Sequence, residues 1–378
     1  MKRTMFFLLA AICTVSASNA FSQGMNLPIP DHIVILIFEN HGYPEIIGST
    51  NAPHINALAK DTLSALFTQS YGIEHPSQPN YLDLYAGCNQ GITSDAVPGG
   101  IPFTTENLGS ELLDAGRTFI TYSEDLPNVG YNGATSNAYA RKHNPAANWM
   151  GTGTNQIPPE TNQPFSAFPV QFSKLPDVCY VVPNLNNDMH DGTIAQGDAW
   201  MFTFLNNYIQ WAKTHNSLFI VTFDEDDNSA ANRVATIFAG QMVKAGQYSE
   251  TINHYSILRT IEDIYGMPYA CNAATATPIT DTWIVTSGVT ANESAPGENI
   301  LSIFPNPTNG EFTIEFKKSV VGELKDIEIY DALGKKVFEK NIAGTFTPEM
   351  QIKLPISGSY VVSVSDEKMY YTQKIFVR

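Results

Sequence analysis

The feature that most constrains this chain is a pair of long apolar segments that each end in acidic residues. One reads HIVILIF over residues 32–38 and runs into ENH at 39–41. The other reads SLFIVTF over residues 217–223 and runs into DEDD at 224–227. Such β-branched and aromatic runs predict strands buried on both faces, as in a parallel sheet, whose sites lie beyond the carboxyl ends of the strands. The carboxylates and the amide are therefore expected at one sheet edge, where they suit hard metal ions and phosphate.

Strand-like and helix-like segments alternate from Asp31 to about Thr286. The strand candidates are 32–38, 118–122, 178–182, 217–223 and 233–239. The helix candidates, with apolar residues at helical spacing, are 105–115, 199–213 and 255–265. This alternation predicts an α/β fold with a mostly parallel sheet flanked by helices. Residues 123–177, rich in Gly, Pro and Asn, interrupt it and are either a lid over a site or a surface excursion.

The composition changes on both sides of that region. Residues 1–20 combine two basic residues, an apolar core and a small-residue end, which is the pattern of a secretory signal peptide. A catalytic region is then expected over 24–286, followed by a Gly/Ser/Ala-rich linker at 287–298. Beyond the linker, apolar and polar residues alternate, which predicts a small antiparallel β-sandwich over 299–378. No candidate catalytic residue falls within this last segment.

The charge of the chain excludes one class of partner. The formal net charge is −16, and removal of Lys2 and Arg3 with the leader would lower it to −18. Non-specific nucleic-acid binding needs a basic surface, so nucleic acid is not expected as a partner. Anionic small molecules remain compatible, because a metal ion and a few cations can reverse the local field. No transmembrane segment is expected, because no apolar run is long enough.

Three cysteines follow the expected leader, and an odd number allows at most one internal disulfide. Cys179 lies in the apolar run VCYVV and is predicted to be a buried free thiol. Cys88 and Cys271 form the one pair worth considering, and the sequence leaves open whether they are joined.

The segment HPSQPNY at 75–81 places the hydroxyl of Ser77 between two prolines. The proline rings restrict the backbone and hold the serine in a defined pose. A nucleophilic serine needs that fixity together with a means of lowering its pKa, such as metal coordination. A simple turn with a serine hydrogen bond is the alternative.

Three further segments carry imidazole or cationic groups. NNDMHDG at 186–192 follows an apolar strand and places polar groups around His190, although Asp and Asn also favour turns. His254 opens the last helix, whose N-terminus favours anions, although a histidine there is more often a cap. The cluster RKHN at 141–144 either meets phosphate oxygens or forms a solvated surface patch.

The chain resembles the phosphoesterase family of acid phosphatases and phospholipases C. The resemblance is carried by six motifs that occur in the order found in that family: ENH, HPSQPNY, RKHNP, NDMHDG, DEDDN and NHYSILRTIEDIYG. The resemblance covers residues 31 to about 270. Within the family, the chain is most similar to the group of secreted acid phosphatases that includes phosphatidylinositol-3-phosphatases. This resemblance implies an alkaline-phosphatase-like fold and a divalent metal ion. All-oxygen ligands favour Mg, Ca or Mn, whereas participating histidines would admit Zn or Fe.

The resemblance also implies roles at the matching positions. Glu39 and Asn40 match the first pair of metal ligands, and Asp224 and Glu225 match a later acidic pair that is Asp-Asp in some acid phosphatases. Ser77 matches the nucleophile and would also contact the metal. His190 and His75 are expected to transfer protons. The residues expected to bind substrate are Asn80, Lys142, His143, Asp188 and His254.

The function implied is that of a secreted, metal-dependent phosphomonoesterase that works through a phosphoserine on a small-molecule or lipid phosphoester. One alternative is a phospholipase C or another phosphodiesterase on the same scaffold. A second alternative, from another class, is a catalytically inactive surface adhesin.

The last 80 or so residues resemble a second family. PNPTNG at 305–310, IYDALGKKV at 329–337, SGSYVVSV at 357–364 and the final TQKIFVR are similar to the C-terminal sorting domain of the type IX secretion system of Bacteroidetes. This resemblance implies that the type IX machinery is a partner and exports the protein, via the periplasm, to the cell surface or the medium. An ordinary accessory β-sandwich is the alternative.

Overall fold

The computed structural model describes residues 27–228, 231–284, 301–316, 326–331, 335–342, 349–365 and 370–378. The expected signal peptide (1–20) and linker (287–298) lie outside the described residues. The chain divides into two compact units, Met1–Val285 and Thr286–Arg378.

The first unit alternates strands and helices. Its strands are β1 (His32–Phe38), β2 (Ser64–Tyr71), β3 (Phe119–Ser123), β4 (Thr135–Ser136), β5 (Tyr139–Ala140), β6 (Asn162–Pro164), β7 (Val178–Val182), β8 (Ser217–Phe223), β9 (Arg233–Ala239), β10 (Gly246–Tyr248) and β11 (Ile252–Asn253). Its α-helices are α1 (Tyr43–Ile46), α2 (Pro53–Leu58), α3 (Ser77–Ala86), α4 (Leu108–Asp114), α5 (Ile194–Ala212) and α6 (His254–Tyr265). Short 3₁₀ helices span Arg141–His143, Pro145–Asn148, Pro159–Thr161, Phe165–Ala167, Phe172–Lys174 and Cys271–Thr275.

The main sheet has the order β10-β2-β9-β8-β1-β7-β3-β6, with β11 also pairing with β2. Strand β9 runs antiparallel to β2 and β8, and the other pairs are parallel. The predicted mostly parallel α/β fold is therefore confirmed. Strand β2 was not predicted, because its sequence SALFTQSY loses its apolar character halfway, where its side chains become partly exposed.

Alternate side chains of β1 enter two separate cores, one on each face of the sheet. Ile33, Ile35 and Ile37 pack with residues of α3, α4 and α6. Val34, Leu36 and Phe38 pack with residues of α1, α2 and α5. This two-sided burial is the reason that the six residues after His32, IVILIF, include no polar residue, since each of them is buried among apolar neighbours.

Helices α5 and α6 begin at caps that the sequence encodes locally. Helix α5 starts five residues before the predicted Ala199, because Thr193 and Gln196 form a reciprocal capping box. Helix α6 starts one residue early, at His254, because the side chain of Asn253 accepts a hydrogen bond from the Ser256 amide.

Much of the irregular segment 123–177 is part of the core. Tyr139, Arg141 and Trp149 are all nearly inaccessible to solvent. The Arg141 guanidinium donates hydrogen bonds to the side chains of Asn132 and Asn148. A surface excursion is therefore wrong for residues 139–150, which are buried except for Lys142. A solvated patch is wrong for Arg141, because its charge is satisfied internally.

Two of the three cysteines form the disulfide that the sequence left open. Cys88 and Cys271 form a disulfide, with their Cα atoms 5.9 Å apart. Cys179 is a buried free cysteine, as predicted.

The second unit is a small antiparallel sandwich, as predicted. Its strands are β12 (Leu301–Phe304), β13 (Glu311–Phe316), β14 (Asp326–Asp331), β15 (Lys336–Asn341), β16 (Glu349–Lys353), β17 (Gly358–Ser365) and β18 (Tyr370–Val377). They form two sheets, β12-β13-β16 and β15-β14-β17-β18, which share one apolar core. Within the described parts of both units, no helix combines the length and the hydropathy needed to cross a membrane.

Candidate active site at the carboxyl edge of the sheet

The ends of β1 and β8 bring the first acidic residues together. The two strands pair in parallel with Phe38 opposite Phe223, so Glu39 and Asp224 leave the sheet side by side. The backbone N–H of Asn40 donates a hydrogen bond to Asp224 Oδ1 at 3.2 Å. Both carboxylates are almost completely buried.

Ser77 is the first residue of α3, and its side chain lies between these strand ends. Its Oγ is 2.8 Å from Glu39 Oε2 and 3.2 Å from Glu225 Oε1, both within hydrogen-bonding distance. Only 2% of the residue is exposed. The hydroxyl is therefore held by two carboxylates that come from different strands.

Asn80 holds the loop that delivers Ser77. Its Oδ1 accepts hydrogen bonds from the amides of Ile73 and Glu74, at 2.8 and 3.0 Å. Its Nδ2 donates to the Glu74 carbonyl at 2.7 Å. Because Asn80 is fully buried and its side chain is occupied by backbone groups, its position favours supporting the loop over contacting a substrate.

The carboxylates of the site repel one another in a buried environment. Burial, followed by repulsion from Asp224 and Asp188, holds the pKa of Glu39 well above its usual range. Burial and the neighbouring Glu225 raise the pKa of Asp224 to about 8, and burial raises that of Glu225 to about 7. Glu39 Oε1 and Asp224 Oδ2 are buried without a hydrogen-bond partner. These observations fit a divalent cation, because it would relieve the repulsion and satisfy the open oxygens.

Two imidazoles approach the same carboxylate from other segments. His143 Nε2 lies 3.3 Å from Glu39 Oε2, and its Nδ1 lies 2.9 Å from Asp188 Oδ2. His190 Nδ1 lies 2.8 Å from Asp191 Oδ1. Glu39, His143 and His190 each offer a ligand atom, and these atoms lie within 4.8 Å of one another. Burial, with the nearby Lys142 charge, holds the pKa of His143 well below 6.5, so its ring is neutral.

His75 lies on the other side of Ser77. Its Nδ1 is 2.6 Å from Glu225 Oε2, and its Nε2 is 3.5 Å from Asp226 Oδ1. About a third of its side chain is exposed, as is a similar fraction of His190. These two histidines can therefore exchange protons with a molecule that enters from solvent.

His254 is buried beneath the end of β8. Its Nε2 donates a hydrogen bond to the backbone carbonyl of Asp224 at 2.6 Å. Burial lowers the pKa of His254 to about 4, so the ring is neutral. Its position favours fixing the Asp224 backbone over binding a substrate anion.

Asp95 belongs to the site but was missed in the sequence. Its Oδ1 accepts a hydrogen bond from the Gln78 amide, and its Oδ2 accepts one from Lys142 Nζ at 2.9 Å. Lys142 Nζ is also 2.9 Å from His190 Nε2. Asp95 occurs in a polar, glycine-rich loop with no periodicity, so nothing in its local sequence distinguishes it from an ordinary turn residue.

Comparisons with known proteins identify the families to which the two units belong. Residues 49–268 match the phosphoesterase family, and residues 302–378 match a secretion system C-terminal sorting domain. A phosphatidylinositol-3-phosphatase from Mycobacterium tuberculosis is 48% identical over 68% of this chain and 84% of its own length. A phosphate-repressible acid phosphatase from Penicillium chrysogenum is 30% identical over 65% of this chain and 64% of its own, a little under two thirds.

A solved structure is also similar in part. It is a protein in the alkaline phosphatase superfamily from Vibrio parahaemolyticus, with a TM-score of 0.46 and 11% identity. The match covers 86% of this chain and 82% of that protein.

Proposed function

Because this chain belongs to the phosphoesterase family, we propose that it is a secreted, metal-dependent phosphomonoesterase that forms a phosphoserine at Ser77. Family membership and the phosphatase-named relatives make it a phosphoric ester hydrolase. Its sorting domain indicates secretion or display at the cell surface, with the type IX machinery as the partner. The observation that carries the finer proposal is the Ser77 hydroxyl, held at the start of α3 between Glu39 and Glu225.

The metal ion would be held by the Ser77 hydroxyl and by the residues around it, which are Glu39, Asn40, Asp224 and Glu225. When bound, a divalent cation supplies positive charge that lowers the pKa of the hydroxyl and neutralises phosphate oxygens. The oxygen donors favour Mg, Ca or Mn for this position.

Ser77 is the nucleophile. Its Oγ attacks phosphorus, so a serine O–P bond forms while the bond from phosphorus to the alcohol oxygen breaks. The serine proton passes to Glu39 Oε2, which already lies 2.8 Å away. The departing alkoxide takes a proton from His190 or His75, the two partly exposed imidazoles. Water, deprotonated by the same histidine, then attacks phosphorus, and the serine O–P bond breaks. Ser77 Oγ takes back the proton held by Glu39 as phosphate leaves.

The remaining site residues divide by exposure. Lys142 is partly exposed and carries the positive charge that would bind phosphate oxygens. Asn80, Asp188 and His254 are buried and bonded to protein groups, so we assign them to positioning instead of the substrate contact expected from the sequence.

Turnover of p-nitrophenyl phosphate and of bis-p-nitrophenyl phosphate by the metal-loaded full chain tests the proposal. We expect preference for the monoester, and a phosphate adduct on the peptide containing Ser77 after an acid quench. A preference for the diester would favour the phospholipase C-type alternative. Turnover of neither ester would favour the inactive adhesin. Phosphatidylinositol 3-phosphate in vesicles, compared with the soluble ester, would show whether the substrate is a lipid.

A further inference from the structure

We propose that Glu39, His143 and His190 form a second metal position, beside the oxygen-rich one, for a divalent ion that accepts imidazole ligands, such as Zn²⁺. Their donor atoms lie within 4.8 Å of one another. The inference rests on the proposed function, because Glu39 would be shared between the two positions. With the second position filled, both nitrogens of His190 would be engaged, so the proton transfers of the proposed reaction would fall to His75. Two nitrogens and one carboxylate are a donor set that suits Zn²⁺, with a fourth position open to solvent or substrate.

The two imidazoles are oriented as metal-binding histidines usually are. A carboxylate engages the Nδ1 atom of each ring, Asp188 for His143 and Asp191 for His190, at 2.9 and 2.8 Å. Each Nδ1 therefore carries the proton, which leaves a lone pair on each Nε2; the lone pair of His190 faces the Lys142 ammonium. Such carboxylate–histidine pairs fix the tautomer of a metal ligand and increase its basicity.

The unsatisfied imidazole nitrogen of His143 gives a second observation, separate from the open oxygens that support the first position. His143 is 1% exposed, yet its Nε2 has no hydrogen-bond partner, although Glu39 Oε2 is 3.3 Å away. Glu39 is fully buried, and its Oε1 also has no partner. Buried polar atoms without partners are rare and costly in folded proteins. A cation bound between them would satisfy both.

The position of Lys142 shows that the triad already attracts a positive charge. Its ammonium lies 2.9 Å from His190 Nε2 and is held from the other side by Asp95. A metal ion would compete with this ammonium for the His190 lone pair. The affinity of the second position should therefore rise when Lys142 is replaced by an uncharged residue of similar length.

The full chain, stripped of metal and titrated with Co²⁺, tests the inference through visible absorption, because imidazole-bound Co²⁺ gives a spectrum that reports its ligands. Isothermal titration with Zn²⁺ gives the stoichiometry. We expect two equivalents in the wild type and one in His143→Gln and in His190→Gln. Asp224→Asn should keep the imidazole-dependent absorption. Lys142→Met should bind the second equivalent more tightly than the wild type.

The matched control is His54→Gln, because His54 stacks on Phe202 and contacts none of the site residues named above. This variant should bind two equivalents. A single equivalent in the wild type, or an unchanged second equivalent in both His143→Gln and His190→Gln, would overturn the second position. Weaker binding in Lys142→Met would also contradict it.

The same preparations separate this inference from the proposed function. Full turnover of p-nitrophenyl phosphate with Mg²⁺, together with one Zn²⁺ equivalent, would leave the phosphatase in place and remove the second position. Two equivalents without turnover of either p-nitrophenyl ester would support the second position and remove the proposed reaction.

Discussion

The two units of this chain differ in whether they bury charged side chains. The first unit buries many acidic side chains: Glu39, Asp83, Glu111, Asp188, Asp198, Asp224, Glu225, Asp226 and Glu262. In the second unit, every Asp, Glu, Lys and Arg whose side chain is described is at least partly exposed, and the buried polar residues there are Thr308 and Ser363. Burying a charge is costly, whereas exposed ion pairs contribute little to stability. The buried acids therefore make the first unit the place where the proposed chemistry is sought, whereas the core of the second unit is built mainly by apolar alternation.

The first unit buries acids in two different ways. At the sheet edge, Glu39 and Asp224 face Ser77 and imidazoles, in an arrangement that a cation would complete. Between α4 and α6, neither oxygen of Glu111 has a hydrogen-bond partner, and Glu262 accepts a hydrogen bond from the Ala270 amide. Burial and repulsion from Glu262 raise the pKa of Glu111 to about 9, and burial raises that of Glu262 to about 8. The raised pKa values indicate that this second pair retains protons near neutral pH.

The largest effect should come from the hydroxyl at the centre of the site. We expect Ser77→Ala to lose at least ~10³-fold in kcat/KM for p-nitrophenyl phosphate, the scale typical when a nucleophile is removed. Its melting temperature should stay close to that of the wild type. Ser64→Ala, which removes another buried serine hydroxyl, is the control and should remain active. Wild-type turnover in folded Ser77→Ala would rule out the phosphoserine.

A smaller effect is expected when one carboxylate of the site is neutralised. Asp224→Asn keeps the side-chain shape but removes a charge, so metal affinity should fall at least about tenfold, with partial recovery of turnover at high metal concentration. Elemental analysis and turnover measured against metal concentration check this. Asp227→Asn, at an exposed position of the same acidic run, should change neither quantity. If Asp224→Asn retained the full metal content, the acidic run would not be a ligand.

The buried Glu111–Glu262 pair should appear in the pH dependence of stability. Because both pKa values are raised in the folded state, the folded protein binds more protons than the unfolded chain between about pH 4.5 and pH 8. The free energy of unfolding should therefore be highest on the acidic side and fall as pH rises, by about 1 kcal/mol per pH unit for each group. Glu111→Gln should reduce this slope in urea titrations at fixed metal concentration.

Glu160→Gln is the control for that experiment, because Glu160 is an exposed glutamate of the first unit that does not belong to this pair. Its slope should match that of the wild type. An unchanged slope in Glu111→Gln would mean that the pair does not retain its protons in the folded protein.

The smallest effect on catalysis should come from removing the second unit. Deletion of residues 298–378 should leave kcat/KM unchanged, because every candidate site residue lies in the first unit. In the native host, the truncated protein should accumulate in the periplasm. Reduced turnover of the purified truncated protein would give the tail a role in the catalytic unit. Normal appearance of the truncated protein in the medium would mean that the tail is not needed for sorting.

The sequence alone predicted the sheet and the residues at its edge, because these depend on local patterns. An unbroken apolar run such as residues 33–38 is typical of a strand buried on both faces, and the residue after it is then expected at the sheet edge. Alternation at 312–316 likewise predicted the second unit, whose inward side chains are Phe312, Ile314 and Phe316. The missed strand β2 lacked such a pattern over half its length.

Tertiary structure alone decided which groups meet at that edge and what each can do. Asp95 and Lys142 are 47 residues apart, and His143 and Asp188 are 45 apart, in segments without periodicity. His143 was expected to bind substrate, but it lies buried against Glu39 because the irregular segment 123–177 packs into the core. Local sequence patterns record which face of an element is buried. They do not record which distant side chain will fill the space opposite, because that depends on the path of the whole chain.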